Sequence, residues 1–169
     1  MTDLRAIFRA GAVLRWHTNP ELSTTQDRVD GHSARVARII LALHPNPSVS
    51  LLRAALVHDD GEHAVGDVRA PAKDDSGEMT RLLDKLEATA REQLWGTTIP
   101  LWDSQKLWLH FADRLDAYMW ASHHAPHVLD GDGWPKARVR LLKWATALDC
   151  IAEVEPLLVR PVPRWRFWA

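Results

Sequence analysis

The chain has 169 residues, and 21 Lys and Arg against 22 Asp and Glu leave it a net charge of −1. Apolar residues make up 46% and charged residues 25%, which fits a globular domain and excludes a disordered, collagen-like or coiled-coil chain. The near-neutral balance lacks the basic footprint of a duplex nucleic-acid binder, while leaving room for a local anion pocket. A chain of this mass buries roughly 70% of its extended surface, enough for a core without disulfide or structural-metal staples. Cys150 is the only cysteine, so no disulfide can form within the chain, in keeping with a reducing compartment. No stretch approaches 18 consecutive apolar residues. The segment MTDLRAIFRAGAVLRW has no uninterrupted apolar stretch and no small-residue cleavage site. The expectation is a cytoplasmic location with no membrane partner.

Helical periodicity runs through almost the whole chain, without a convincing alternating strand pattern. Leu4, Ile7, Phe8, Gly11 and Leu14 set the first helix, with Thr2 or Asp3 as its N-cap. Residues 18–31 (TNPELSTTQDRVDG) read as a polar loop. His32, Val36, Ile39, Ile40 and Leu43 mark a second helix, halted by the prolines of HPNP. Ser48 caps a third, whose Leu51, Leu52, Ala55 and Leu56 lead to His58 and Asp59. A loop follows over residues 66–75. Ser76 then opens a long amphipathic helix through Met79, Leu82, Leu83, Leu86, Ala90 and Leu94, with Gly96 just past its end. Leu107, Trp108, Phe111, Ala112, Leu115, Tyr118 and Met119 form the next helix. A loop holds HHAPH and DGDGWP, and a last helix spans Pro135 to Val154. The prolines of PLLVRPVPRWRFWA forbid a further long helix. The predicted fold is all-α, with six or seven helices in one domain over residues 1–155 and a Pro/Trp-rich tail over 156–169.

The apolar helix LLRAALV runs into His58-Asp59-Asp60-Gly61-Glu62. Unpaired buried charge is costly, and a bound divalent cation would account for it. Imidazole nitrogen with carboxylate oxygen suits Mn, Co, Fe, Ni or Zn, and carboxylates alone would also serve Mg. Such a site needs more than two ligands. His32 heads an apolar helix face, and Asp113 interrupts the apolar run LWLHFADRLDAY, so both are candidates.

The order His32, His58-Asp59, Asp113, with intervals of 26 and 54 residues, resembles the ligand set of the HD phosphohydrolase superfamily. The segment ALVHDDGEHAVGDVRAPAK is similar to the central segment of bacterial 5′-deoxynucleotidases. There the HD dyad is followed by a glutamate, a Gly-Asp pair and a proline-bearing loop ending in lysine, matched here by Glu62, Gly66-Asp67, Pro71 and Lys73. Arg15-Trp16 matches the Arg-Trp pair that precedes the first histidine in that family. Small phage enzymes that convert dATP to deoxyadenosine and triphosphate share this layout. The resemblance covers residues 4–120.

The resemblance implies an HD-domain bundle in which His32, His58, Asp59 and Asp113 hold a divalent transition metal, with Glu62 and Asp67 as ligands for any second ion. Glu62, Arg15 and Asp59 are the implied catalytic residues; Glu62 handles the proton of the water or leaving group, and Arg15 pairs with phosphate. The implied substrate contacts are Arg15, Trp16, Thr18, Asp67, Pro71 and Lys73, with Trp16 stacking on or walling the base or the sugar. Asp116, three residues past Asp113, stands where it can orient a ligand or Arg15. The implied reaction is hydrolysis of a deoxynucleotide at the 5′ α-phosphate. Arg69, Lys73 and Arg81 offer cations beyond the first phosphate and tilt the reading toward a dNTP (dATP-like) triphosphohydrolase. The alternative is a 5′-deoxynucleotidase acting on dNMPs, and a more distant one is a non-catalytic nucleotide-binding regulator. A small-molecule nucleotide is the expected partner, and a homo-oligomer (dimer or hexamer) the expected assembly, in a host cytoplasm if the chain is phage-encoded. His123, His124 and His127 read as exposed loop histidines despite their metal-like spacing.

Overall fold

Polar caps start the first and third helices of the structure, a computed structural model that describes residues 3–66, 77–96, 100–131 and 133–159. The Asp3 carboxylate accepts from the N–H groups of Arg5 and Ala6 at 3.0 and 3.1 Å and opens α1 (Leu4–Gly11). Ser48 Oγ accepts from the Leu51 N–H at 3.1 Å and opens α3 (Val49–Val57). Between them lies α2 (Val29–Leu43), and α4 (Gly77–Trp95), α5 (Asp103–His124), α6 (Trp134–Ala147) and α7 (Ile151–Leu158) follow. The described residues contain no strand, only an isolated bridge between Leu14 and Arg28. The all-α bundle is the expected one.

The central helix is α5, 22 residues or about 33 Å long. Trp108, Phe111, Ala112, Leu115 and Tyr118 recur every three or four residues and are buried against α2, α3 and α6. They share a core with Val36 and Ile40 of α2, Leu51 of α3, Leu141 of α6, and Val154 and Leu158 of α7.

Several elements differ from expectation, each for a local reason. Helix α2 begins at Val29 rather than His32, because Val29 is fully buried and its N–H donates to the Val13 carbonyl at 3.0 Å. The preceding polar loop is packed down: Leu22 is fully buried, and Asn19 Oδ1 accepts from the N–H groups of Glu21 and Leu22. His123 and His124 belong to the last turn of α5, not to a loop. The expected final helix is two helices, broken at Asp149, whose φ is +56°. Aspartate tolerates this left-handed conformation, and the break turns Cys150, Val154 and Leu158 back into the core. No glycine or proline marks that break, so the apolar spacing reads straight across it. Helix α7 then runs through Pro156 to Leu158. Residues 160–169 lie outside the described residues.

Helix α4 was expected to bury a full apolar face, but only Ala90 is buried, and Met79, Leu82 and Leu86 are exposed. It packs on the 3-10 turn Asp60–Ala64 rather than on the main core. Gly61 makes that approach possible, since a Cβ there would sit 2.2 Å from the Glu87 carbonyl oxygen. Gly61→Ala must therefore push α4 off the turn. The expected cost is at least about 1–3 kcal/mol, read as a lower denaturant midpoint, and unchanged stability would mean that α4 does not seat this closely. No described helix is long and apolar enough to cross a membrane.

Candidate metal centre

Three separate helical segments deliver four side chains to one point. His32 comes from the first turns of α2, His58 and Asp59 from the turn that ends α3, and Asp113 from the middle of α5. One potential ligand atom from each lies within 4.8 Å of all the others. Asp59 and Asp113 carboxylate oxygens stand 3.3 and 3.2 Å from His32 Nε2, and Asp59 is also 3.3 Å from His58 Nε2.

The outer nitrogens of both imidazoles are already committed. His32 Nδ1–H donates to Asp116 at 2.7 Å, and His58 Nδ1–H donates to the Ala55 carbonyl at 2.9 Å. Neither acceptor can donate, so the neutral rings present Nε2 lone pairs to the centre. Both Nε2 atoms are buried and make no hydrogen bond. An orphaned pair of imidazole nitrogens beside two carboxylates is a donor set that fits a divalent first-row ion.

The charges agree with that fit. Asp27, Asp59, Asp113, Asp116 and Glu62 surround Arg15 and Arg35, so five carboxylates oppose two guanidinium groups. The excess of negative charge calls for a cation. Without one, a proton substitutes: burial and Arg15 disfavour charge on His32, but Asp113, Asp116 and Asp59 outweigh them and raise its pKa to about 10. Burial opposes ionisation of Asp59, yet His58, His32 and Arg15 hold it below the usual carboxylate range. Asp113 is lowered in the same way, with His32 overcoming its burial.

Arg15 is buried, with Nη1 3.1 Å from Asp27 and 3.8 Å from Asp116. Backbone pairing of the Arg15 N–H with the Asp27 carbonyl, 2.9 Å, sets its place. Burial works against its charge, and Asp59, Asp113, Asp27 and Glu62 together more than restore it. Trp16 has φ +64°, uncommon for a bulky residue, and its indole N–H donates to Asp27 at 3.1 Å. Its ring packs against Trp134 with centroids 6.1 Å apart. Glu62 is buried, but α3 stops at Val57, so a 3-10 turn and not the expected helix carries it. Thr18 is exposed on the α1–α2 loop. Asp67, Pro71 and Lys73 lie outside the described residues, as does Arg69.

Sequence reasoning found Asp116 but missed the other supports of this centre. Asp27 is 2% exposed and also accepts from Arg35 at 2.8 Å. Arg35 Nε donates to Asp116 at 2.7 Å. Arg35 stands one turn after His32, a signal that was available; Asp27 lies in a polar stretch with no local sign of burial. One face of α4 clamps the dyad, since Arg91 Nη1 donates to the His58 carbonyl at 2.6 Å and Trp95 Nε1 donates to Asp60 at 2.7 Å. A cleft of about 340 Å³ opens onto His58, Asp59 and Asp113, bordered by α3, the end of α4 and α5.

A family model described as 5′-deoxynucleotidase YfbR-like matches residues 4–102, more than half the chain. No curated protein and no solved structure matches. The family match carries Arg15, Trp16, His32, His58, Asp59 and Glu62, and stops short of Asp113, which the bundle itself brings to the other three ligands. On this match and this geometry, the chain belongs to the YfbR-like 5′-deoxynucleotidase family of HD-domain nucleotide phosphohydrolases.

Proposed function

We propose that the protein is a metal-dependent 5′-deoxynucleotidase that cleaves deoxynucleoside monophosphates to deoxynucleoside and orthophosphate. The observation that carries this reading is the convergence of His32, His58, Asp59 and Asp113 beside the buried cation Arg15 in a chain of this family. A divalent transition ion, Co, Mn, Zn, Ni or Fe, suits two imidazoles and two carboxylates better than Mg does. Bound there, it supplies Lewis-acid polarisation of a phosphoryl oxygen and an acidified water.

The chain's own residues do the rest. Arg15 Nε is buried without a hydrogen bond, so the guanidinium keeps a donor for a phosphoryl oxygen. Glu62, buried within electrostatic reach of Arg15, takes the proton of the attacking water or returns one to the leaving 5′ oxygen. Asp116 and the Ala55 carbonyl hold the two imidazoles in register. Among the remaining substrate contacts, Asp67 accepts from a ribose hydroxyl or joins Glu62 as a ligand for any second ion, Lys73 offers a second cation to phosphate, Pro71 belongs to the substrate loop, and Thr18 with Trp16 governs the base.

The triphosphate reading rests on Arg69, Lys73 and Arg81. Of these only Arg81 is described; it is exposed, and its Nε donates to the Gly77 carbonyl of its own helix at 2.9 Å. The family match supports the monophosphate reading instead. Incubating the Mn²⁺- or Co²⁺-loaded protein with all deoxy- and ribonucleotides, as mono- and triphosphates, tests it. Orthophosphate from dNMPs is the expected product. Triphosphate released from dNTPs, with dNMPs untouched, overturns the assignment.

A further inference from the structure

The groups around the centre form an alternating row of charges. Arg15 Nη1 lies 3.1 Å from Asp27 Oδ2, and Asp27 Oδ1 accepts from Arg35 Nη2 at 2.8 Å. Asp116 accepts from Arg35 on both oxygens, from Nε at 2.7 Å and from Nη2 at 3.1 Å. Asp116 Oδ2 also takes the His32 Nδ1–H at 2.7 Å. Arg35 therefore stands in the middle of the row, hydrogen-bonded to both carboxylates. Arg15 reaches Asp116 only at 3.8 Å, beyond hydrogen-bond range. Three parts of the chain meet on this one guanidinium: the segment before α2 through Asp27, α2 through Arg35 itself, and α5 through Asp116.

The guanidinium is also covered. Arg35 Cζ lies 4.3 Å from the centroid of the Trp120 ring, one turn after Asp116 on α5. The Trp120 indole N–H donates to Thr25 Oγ1 at 3.0 Å, which ties the cover to the stretch that carries Asp27. Edges bonded to two carboxylates and a face under an indole are a fit for arginine alone. A lysine ammonium keeps the charge but has neither the planar fork nor a face for the ring. Arg35 is not among the described residues bordering the cleft, and its hydrogen bonds go to Asp27 and Asp116, not to the four cluster residues. Whatever it contributes, it contributes through those two carboxylates.

We propose that Arg35 is a positioning residue that sets both halves of the centre: through Asp116 it holds the metal ligand His32, and through Asp27 it holds Arg15, the cation assigned to phosphate. The metal half stands on the ligand geometry, and the phosphate half rests on the nucleotidase reading. A carboxylate bonded on both oxygens cannot turn away from His32 Nδ1, so the ring keeps Nε2 aimed at the other three ligands. On the other side, Arg35 occupies Asp27 Oδ1 and leaves Oδ2 for Arg15 and Trp16. Arg15 is thereby fixed through Nη1 while its Nε stays unbonded. Changing the shape of residue 35 while keeping its charge loosens both halves together.

The test compares the full chain with Arg35→Lys, Arg35→Gln and Trp120→Leu, each well below its melting temperature. Co²⁺ affinity is measured by competition with a chelator, and KM for the preferred dNMP at saturating Co²⁺. Arg35→Lys is expected to weaken Co²⁺ binding about tenfold or more and to raise KM severalfold, although the charge is kept. Arg35→Gln shifts both in the same direction and further. Trp120→Leu, which takes away the covering ring and the bond to Thr25, weakens Co²⁺ binding by a smaller factor, and it carries the test beside Arg35→Lys if Arg35→Gln does not fold. Arg38→Lys, an exposed position one turn further along α2, changes neither quantity. Wild-type Co²⁺ affinity in Arg35→Lys, or an equal loss in Arg38→Lys, overturns the proposal. So does a variant that melts earlier yet, while folded, binds Co²⁺ and the dNMP as the wild type does. An unchanged KM at saturating Co²⁺ overturns the phosphate half. Weakened Co²⁺ binding in Arg35→Lys, in a protein that hydrolyses no nucleotide, supports the metal half and sinks the nucleotidase reading instead.

Discussion

Asp113→Ala is expected to leave the purified protein with well under one divalent ion per chain and to lower phosphohydrolase activity by at least about a thousandfold. The size follows from what a bound ion would supply: it would strongly acidify its bound water and polarise a phosphoryl oxygen, and that gain goes with the ion. The fold should not go with it. Asp113 is 30% exposed on its side chain, and the residues that seat α5, Phe111, Ala112 and Leu115, are untouched. Elemental analysis, activity and far-UV circular dichroism on one preparation separate the two effects. An Asp113→Ala protein that keeps both its ion and its activity contradicts the four-ligand centre. One that loses helix content shows instead that Asp113 is needed for folding.

Asp27→Ala should have the largest effect on stability. This carboxylate is 2% exposed and receives Arg15 at 3.1 Å, Trp16 at 3.1 Å and Arg35 at 2.8 Å. Removing it strands the buried Arg15 guanidinium and the Trp16 indole N–H, and takes one of two carboxylate partners from Arg35, which is 30% exposed on its side chain and keeps Asp116. Breaking a buried pair from one side costs about 3–5 kcal/mol. For a domain of this length, each kcal/mol lowers the melting temperature by about 2–4 °C. The expected drop is therefore roughly 6–20 °C. Asp27→Asn keeps an acceptor and should lose less. Activity should fall in Asp27→Ala even well below its melting point, because Arg15 loses the partner that aims it. A melting temperature within a degree of wild type would show that Asp116 alone suffices to hold both arginines.

The two substitutions probe different layers of one centre, and the inner layer was the more legible in the chain. His58-Asp59 is visible because an apolar helix ends in adjacent ionisable groups, and His32 because it heads an apolar face. Asp116 is visible through its one-turn spacing from Asp113. The helices are legible for the same reason: their apolar residues recur every three or four positions, as in α5. Boundaries are less so, and Asp149 shows why. A left-handed aspartate breaks the last predicted helix without a glycine or proline to announce it, because the conformation there is imposed by packing of α7 on α6.

What the amino-acid order determined by itself is thus the all-α class, the HD ligand types and the family, since periodicity and short-range spacing are properties of neighbours along the chain. What only the tertiary structure decided is which distant groups share the centre's charge and which surfaces face its opening. Asp27 reaches Arg15 through the two backbone hydrogen bonds of the bridge across the α1–α2 loop, and Trp95 reaches Asp60 because Gly61 lets α4 approach without a side chain between them. Such meetings depend on how helices stack in three dimensions, and the number of residues between two partners carries no trace of that distance.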